Sequence, residues 1–368
     1  MSKKTKVLTI FGTRPEAIKM APLVKEIEKH SDKLENVVCV TAQHRQILDQ
    51  VLDLFNIKPD YDLDIMKNNQ NLWSLTSDVL LQTKEIIEKE QPDVVLVHGD
   101  TTTSMAAALS AFYAKIPVGH VEAGLRTFDK YYPFPEEINR VFTDSISSYY
   151  FAPTDKACEN LIKSNADKSK IYKTGNTVID ALLYTVNNNK DNLSLNLQPD
   201  LKTILLTSHR RENFGKPIRE ICFAVIELIK NNKDIQFVYP VHPNPNVRKP
   251  VYEILEGVER VHLTEPMEYA EFCALMKKSH IILTDSGGVQ EEAPSLGKPV
   301  IVLRDTTERP EAIEAGTVKL VGTDKNKIIS HVQKLLSDKN EYKIMSEAIN
   351  PYGDGLASKR IVDVLLNL

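Results

Sequence analysis

Three segments of the 368-residue chain combine residue types that bind phosphate groups. The first, residues 11–19 (FGTRPEAIK), places the basic side chains of Arg14 and Lys19 at the predicted start of a helix, where Pro15 suits the first turn. Backbone N–H groups at such a start attract anions. An ordinary strand-to-helix turn with solvated charges explains this segment alone equally well.

The second segment, residues 284–293 (TDSGGVQEEA), carries the strongest signal. Gly287 and Gly288 follow Ser286 and let the backbone approach an anion at the positive end of a helix. Glu292 lies about one turn further along, where it can accept hydrogen bonds from the hydroxyls of a ribose. A tight turn at positive φ is the competing interpretation, but Glu292 and the nearby Arg309 favour a nucleotide site.

The third segment, residues 207–213 (TSHRREN), follows a predicted strand, where open α/β sheets place their ligand contacts. Its three adjacent candidate cations, His209, Arg210 and Arg211, suit a diphosphate. A salt-bridged loop is a good alternative for Arg211 and Glu212. Residues 240–244 (PVHPN) place His242 after another strand.

Carboxylates are concentrated in the first half of the chain. Asp100 and Glu122 follow neighbouring predicted strands, so we expect them at one rim of the sheet. Asp100 could instead cap the helix that begins in the following threonines. Glu136 and Glu137 open a helix after two prolines, and complementing the helix dipole is an alternative role for one of the two.

Short apolar runs alternate with amphipathic segments, and this pattern predicts parallel sheets covered by helices. Strands are expected at residues 7–11, 37–41, 94–98, 116–122 and 149–152, and a second series at 203–207, 235–241, 261–263, 280–284 and 299–303. We therefore predict an α/β protein of two domains with a cleft between them. The domains are residues 1–173 and 174–354, and residues 355–368 form a final amphipathic helix.

The composition excludes several classes of protein. Fifty acidic and 46 basic residues give a net charge of -4, which is too even for general attraction to nucleic acid or to a membrane. The four cysteines lie far apart, so we expect no zinc site and no disulfide framework. No signal peptide or membrane span is apparent, and we predict a cytoplasmic protein.

The ordered blocks FGTRPE, HGDT, HVEAGLR, PEE, HRREN, DSGG and PYGDG resemble the non-hydrolysing UDP-N-acetylglucosamine 2-epimerases over nearly the whole chain. The resemblance implies two Rossmann-like domains in a GT-B-like arrangement, in which the C-terminal helix crosses back to the first domain. It also implies a homodimer.

The resemblance assigns roles to matching positions. UDP would bind mainly to the second domain, and the implied substrate contacts are Arg14, Lys19, Phe272, Ser286, Gly287, Gly288, Glu292 and Arg309. For Phe272, ordinary packing is an alternative. A second UDP-N-acetylglucosamine would act as an activator at Gln43, Gln46, Arg210 and His242. Asn68 and Asn69 stand where the family often has an arginine, so this second site is expected to be weaker or lost.

The chemistry expected of such an enzyme is elimination and re-addition of UDP, since carbon 2 of the sugar has no adjacent carbonyl to acidify its proton. Asp100, Glu122 or Glu136 would remove that proton, and His209 would assist the departing diphosphate. No metal or other cofactor is expected. The product would be a precursor of surface polysaccharides.

Other functions remain open from the sequence. A GT-B glycosyltransferase would share the nucleotide site, although several carboxylates favour epimerisation. The other candidate functions are an epimerase for a modified UDP-amino sugar, a hydrolysing epimerase that releases free sugar, and a non-enzymatic nucleotide-sugar sensor.

Overall fold

The computed structural model describes residues 3–42, 45–66, 70–189 and 193–368 of the chain. Contacts divide the chain into two compact units. Unit 1 consists of Met1–Tyr184 together with Tyr352–Leu368, and unit 2 is Thr185–Pro351. Both units have the α/β architecture predicted from the sequence pattern.

Unit 1 is built on a parallel sheet. In its described part the strands are β1 Thr5–Phe11, β2 Leu34–Val40, β3 Tyr61–Asp62, β4 Val94–His98, β5 Val118–Val121, β6 Tyr149–Ala152 and β7 Ile171–Lys173. The helices along this part of the chain are α1 Arg14–Glu28, α2 Arg45–Leu54, α3 Leu72–Glu90, α4 Thr102–Tyr113, α5 Glu136–Ile146, α6 Asp155–Lys163 and α7 Thr177–Asn188.

The strand order β3-β2-β1-β4-β5-β6-β7 makes β1 and β4 neighbours at the centre of the sheet. The chain runs outward in opposite directions from this pair, which is the topological switch point of a doubly wound sheet. Strand β4 is buried along its whole length, as its apolar run predicts. The loops after β1, β4 and β5 therefore meet at one edge, where ligands bind in this class of fold.

Unit 2 repeats the arrangement. Its described strands are β8 Lys202–Thr207, β9 Ile235–Pro240, β10 Val261–Thr264, β11 Ile281–Thr284, β12 Val300–Val302 and β13 Val318–Leu320, in the order β10-β9-β8-β11-β12-β13. The helices are α8 Lys216–Asn231, α9 Pro245–Leu255, α10 Tyr269–Lys278, α11 Gly287–Glu292, α12 Pro310–Glu314, α13 Lys325–Ser337 and α14 Lys339–Ser346. Its switch point lies between β8 and β11.

The last helix, α15 Ala357–Leu365, belongs to unit 1. Ile361, Val362 and Leu365 are buried in the same hydrophobic cluster as Met20 and Phe55. The Asp180 carboxylate of α7 accepts hydrogen bonds from the first N–H groups of this helix, those of Ala357 and Ser358. The C-terminal segment thus completes the core of the first unit.

The structure differs from the sequence prediction mainly at the sheet edges. Strands β3, β7 and β13 were not predicted because each has only two or three residues, too few to show a pattern. The division between units falls inside α7 rather than after Lys173, since that helix continues without interruption. No described helix has the length and apolar character needed to cross a bilayer.

Candidate active site

Glu122 is the most constrained carboxylate of unit 1. Its φ of 67° lies in the left-handed region, which is strained for a residue with a side chain and is concentrated at functional sites. Lys19 Nζ donates to Glu122 Oε2, and Asn176 Nδ2 donates to the same oxygen at 2.8 Å. Burial alone would raise the pKa of Glu122, but Lys19, His98 and these hydrogen bonds together lower it. Glu122 therefore stays ionised.

Asp100 lies at the end of β4 and does not cap helix α4. The N-cap is Thr101, whose hydroxyl accepts from the Ser104 N–H, so the capping role considered for Asp100 is wrong. Instead, Arg140 Nη2 donates to Asp100 Oδ2 at 2.6 Å. Burial raises the pKa of Asp100, Arg140 opposes this, and the nearby charges of Glu122 and Glu136 add to the increase. The three carboxylates are thus close enough to interact electrostatically.

The adjacent residues Glu136 and Glu137 have different surroundings. The Glu137 carboxylate is buried and accepts the N–H groups of Thr127 and Phe128 at 3.0 and 2.9 Å, so it fixes the preceding loop. Glu136 Oε2 is buried with no hydrogen-bond partner among the described residues. An unpaired buried carboxylate oxygen is unusual in a folded protein and indicates a group that meets a ligand.

Two backbone donors at the start of helix α1 are paired with a side chain of the same helix. Glu16 Oε2 accepts the N–H groups of Gly12 and Thr13 at 3.1 and 2.7 Å, and the Thr13 hydroxyl accepts from Glu16 N–H. This capping box occupies both donors. Lys19, one turn along the helix, pairs with Glu122, and Arg14 is half-buried beside the helix start.

His98, the last residue of β4, was not singled out from the sequence. It is almost fully buried, and both of its ring nitrogens lack hydrogen-bond partners in the described part of the chain. Its Nε2 lies 3.8 Å from Glu122 Oε2. Burial lowers the pKa of His98 to about 3, although Glu122 opposes this, so the ring is neutral near pH 7.

In unit 2, the fully buried Asp285 organises the loop that follows β8. Its Oδ2 accepts the Ser208 hydroxyl, the N–H groups of His209 and Arg210, and the Asn213 amide, at 2.8 to 2.9 Å. Its Oδ1 lies 3.4 Å from His209 Nδ1. Asp285 thus links the two loops at the switch point between β8 and β11 and orients His209.

The His209 ring remains accessible, since 41% of its side chain is exposed. It stacks on the ring of His242, with centroids 5.6 Å apart. Burial lowers the pKa of His209, Asp285 opposes this, and His242 and Arg210 add to the lowering. Of the four residues expected at a second nucleotide-sugar site, Arg210 directly follows His209 in its loop and His242 stacks on the His209 ring. Gln43 and the side chain of Gln46 lie outside the described residues, as do Asn68 and Asn69.

Gly287 leaves room for a cation. A Cβ atom at this position would lie 2.4 Å from the Arg309 guanidinium, which packs over the backbone at the start of α11. Neither Gly287 nor Gly288 has positive φ, so the tight-turn interpretation is wrong and the missing side chain is what matters. Ser286 is the N-cap residue, and its side chain makes no capping hydrogen bond. Arg309 Nε donates to Glu291 Oε1 at 2.7 Å.

Glu292 is buried at the end of α11. Its Oε1 accepts the Tyr269 hydroxyl at 2.8 Å, and its Oε2 lies 3.7 Å from a Cβ built on Gly288. The glycine pair and Glu292 therefore share one location, as the spacing predicted. Phe272 is half-buried on α10, the same helix as Tyr269.

A second ion-pair group lies beside Arg309. The Arg304 guanidinium is bracketed by Glu212 and Glu308, at 2.5 and 2.7 Å. Glu212 is thus salt-bridged, as the alternative considered above proposed, and its partner is Arg304. Glu308 also lies 3.6 Å from Arg309, so these charges connect the loop after β8 with the loop before α12.

Sequence reasoning missed the residues that support the predicted ones, namely His98, Arg140, Asn176, Asn213 and Asp285. Their partners are up to 90 positions away in sequence, so no local spacing identifies them. The aspartate before Ser286-Gly287-Gly288 was the one available signal, since it stands directly at a strand end.

Comparison with known proteins identifies the family. The UDP-N-acetylglucosamine 2-epimerase family model matches residues 25–366. The UDP-N-acetylglucosamine 2-epimerase of Escherichia coli K12 is 57% identical, with 98% of each chain covered, and that of Bacillus subtilis is 57% identical, with 99% of this chain and 96% of the relative covered. The crystal structure of the Neisseria meningitidis UDP-GlcNAc 2-epimerase bound to UDP-GlcNAc superposes with a TM-score of 0.89 at 53% identity, covering 99% of this chain and 100% of that chain. The chain belongs to the UDP-N-acetylglucosamine 2-epimerase family of isomerases.

Proposed function

We propose that this protein interconverts UDP-N-acetylglucosamine and UDP-N-acetylmannosamine without releasing free sugar. The observation that carries the proposal is the set of acidic side chains in unit 1, with Asp100 held by Arg140, Glu122 held by Lys19 and Asn176, and the buried Glu136 Oε2 without a hydrogen-bond partner among the described residues. The nucleotide-sugar ligand of the 53%-identical Neisseria relative supports the choice of substrate. The product would feed the synthesis of surface polysaccharides.

The proposed reaction is elimination followed by re-addition. A carboxylate takes the proton from carbon 2, the C–H electron pair forms the C1=C2 double bond of 2-acetamidoglucal, and UDP leaves with the electrons of the C1–O bond. In the second step the UDP oxygen attacks carbon 1, and a proton is added to the opposite face of carbon 2. This route avoids a free carbanion at carbon 2, which no adjacent carbonyl group would stabilise.

The surroundings of the carboxylates favour a division of their roles. Glu122 is held by Lys19 and Asn176 and has a lowered pKa, which makes it a weak base and a fixed negative charge. The raised pKa of Asp100 suits a group that gains and loses a proton. We assign the proton transfers at carbon 2 to Asp100 and Glu136.

The leaving diphosphate is assigned to unit 2. Arg309 and the N–H groups at Gly287 and Gly288 would bind the phosphates, Glu292 the ribose hydroxyls and Phe272 the base. Arg14 and Lys19 of unit 1 are proposed as further substrate contacts. A bound diphosphate favours the protonated form of His209, which then donates to the departing oxygen.

One experiment tests the proposal and its alternatives together. The protein is incubated with UDP-N-acetylglucosamine in deuterium oxide and followed by proton NMR. We expect UDP-N-acetylmannosamine that carries deuterium at carbon 2, with little free sugar. Product without deuterium would contradict elimination, free N-acetylmannosamine would indicate a hydrolysing enzyme, and no conversion would point to a modified sugar or a glycosyltransferase.

We also propose that UDP-N-acetylglucosamine acts as an activator at a second site that includes Arg210 and His242. This site would be weak, because Asn68 and Asn69 replace a cation at this position of the family. Initial rates should then depend sigmoidally on substrate concentration, and Arg210→Ala should make the curve hyperbolic. A hyperbolic curve for the unsubstituted protein would show that the second site is lost.

A homodimer is proposed from the surface of unit 1. Helices α3 and α4 expose large apolar side chains, with Trp73 83%, Leu81 58%, Phe112 52% and Tyr113 67% exposed. Large exposed apolar side chains on neighbouring helices are a feature of association sites. Light scattering should give twice the chain mass of 41.5 kDa, and Phe112→Glu should give monomers, while the control Ile344→Glu, at a position 67% exposed, should not.

A further inference from the structure

Two buried residues of unit 1, His120 on β5 and Asp144 on α5, have no assigned role. His120 is completely buried and Asp144 is 4% exposed. Their side chains approach closely, with His120 Nδ1 2.6 Å from Asp144 Oδ1. On its other side, His120 Nε2 lies 2.7 Å from the carbonyl oxygen of Gly99.

Both neighbours of the His120 ring are acceptors. A backbone carbonyl cannot donate, so Nε2 carries a hydrogen, and the carboxylate of Asp144 requires a donor at Nδ1. The ring is therefore held between the Asp144 carboxylate and the Gly99 carbonyl, one at each nitrogen. Such charge-assisted hydrogen bonds are shorter and stronger than neutral ones, as the two distances indicate.

The His120–Asp144 pair contacts the turn that carries Asp100 and the turn that carries Glu122. Through His120 it holds the carbonyl of Gly99, the residue directly before Asp100. Through Asp144 Oδ2 it accepts the Gly124 N–H at 3.2 Å and contacts Arg126 Nη1 at 2.7 Å, so it also holds the turn directly after Glu122. One buried ion pair thus connects the turn of Asp100 with the turn of Glu122.

We propose that His120 and Asp144 are positioning residues that hold the turn of Asp100, one of the two proton-transfer groups, in register with the fixed charge of Glu122, so that proton removal and proton return occur on opposite faces of carbon 2. This inference rests on the proposed function. Neither residue contacts the reacting atoms in this role. Misplacing a reacting group by about 1 Å costs on the order of 100-fold in rate, so a loosened register should be visible in catalysis.

Asp144→Asn tests the proposal, because it keeps the side-chain shape and removes the charge. The matched control is Asp180→Asn, which alters another buried carboxylate of unit 1 that accepts two backbone N–H groups but lies at helix α15, away from the carboxylate turns. Turnover is measured in deuterium oxide, together with the initial ratio of deuterium in recovered substrate to deuterium in the epimer. Loss of folded protein lowers the deuterium in recovered substrate and the deuterium in the epimer by the same factor. A shifted carboxylate changes the ratio of the two.

We expect Asp144→Asn to lower kcat by about 10- to 100-fold with KM within about 2-fold, and to shift the deuterium ratio by at least about 3-fold. Asp180→Asn should lower the melting temperature and leave the ratio unchanged. An unchanged ratio in Asp144→Asn would overturn the inference while the proposed function stands. No turnover by the unsubstituted protein would overturn both.

His120→Gln provides a second variant if Asp144→Asn does not fold. Its amide can still donate to the Gly99 carbonyl, but the ion pair with Asp144 is lost. The same shift of the deuterium ratio is expected, and an unchanged ratio contradicts the inference. If neither variant folds, the pair is required for folding itself, and the positioning role is overturned.

Discussion

At the scale of single residues, the site is defined by charges whose neighbours set their protonation. Glu122 is only 11% exposed and would be poorly solvated alone, so its ionised form depends on Lys19 and Asn176. His209 is the opposite case, since it is accessible and is oriented by the buried Asp285. The charge of Glu122 can therefore be tested through protein stability, and the role of His209 through turnover.

Lys19→Met should leave Glu122 buried without its cation and cost about 3 kcal/mol of unfolding free energy at pH 7.5. In the unsubstituted protein, the lowered pKa of Glu122 contributes to the free energy of unfolding at pH values above the usual pKa of a glutamate. This contribution is lost only as the pH falls through the lowered pKa. Without Lys19, burial raises the pKa of Glu122. The difference in unfolding free energy between Lys19→Met and the unsubstituted protein should therefore become smaller as the pH falls toward 5.

Urea unfolding at pH 7.5 and pH 5 measures this difference. Lys25→Met, which removes a cation from the surface pair with Glu28 on the same helix, should change stability by less than about 1 kcal/mol at both pH values. Equal destabilisation of Lys19→Met at the two pH values would contradict the assignment of the charge to Glu122.

His209→Asn should lower kcat by about 100-fold, because the variant loses a group that supplies a proton to the leaving diphosphate. Its melting temperature should change by less than about 2 °C, since the ring is 41% exposed. His331→Asn on α13 is the control and should retain full activity. Turnover of His209→Asn within 2-fold of the unsubstituted protein would exclude the assigned role.

At the scale of elements, helix α5 separates a structural from a functional carboxylate in its first turn. Glu137 accepts two backbone N–H groups of the 127–128 turn, while Glu136 Oε2 has no partner in the described residues. The side chains of successive helical residues point about 100° apart, so neighbours in sequence face different surroundings.

Glu137→Gln should therefore lower stability by about 1 to 3 kcal/mol, because one of the two N–H groups loses its acceptor. Glu136→Gln should leave the melting temperature unchanged and lower kcat by at least about 100-fold, since a proton carrier is removed. Thermal unfolding and initial rates of the two variants are compared directly. Reversal of this pattern would show that the two roles were assigned to the wrong residues.

At the scale of the whole molecule, unit 1 is formed by two distant parts of the chain. Ile361, Val362 and Leu365 of α15 complete its hydrophobic core after the chain has passed through all of unit 2. The stability of the unit that carries the carboxylates therefore depends on the last residues of the sequence.

Ile361→Ala should cost about 2 to 5 kcal/mol, because it removes a fully buried side chain and leaves a cavity. Hydrogen exchange followed by mass spectrometry should show faster exchange in unit 1 and unchanged exchange in unit 2. Ile349→Ala, at a position 87% exposed, is the control and should have little effect. Faster exchange confined to unit 2 would contradict the packing of α15 described above.

The sequence by itself determined the fold class and the family, and it supplied the residues that are proposed for the site. Long apolar runs such as β4 and the glycine pair at 287 and 288 are local signals, because burial on both faces and close backbone approach each require particular residue types. The short edge strands gave no such signal. The blocks around Asp100, Glu122 and Asp285 stand directly at strand ends, which is why they could be found without a structure.

Tertiary structure decided which of these residues are paired, capped or accessible. It assigned the cap of α4 to Thr101, the donors at α1 to Glu16 and the cation of Glu122 to Lys19, which lies 103 positions away. It also brought His120 and Asp144 together beneath two turns. The pKa and the orientation of a side chain depend on neighbours in space, and parallel strands acquire those neighbours through long crossovers that local spacing does not record.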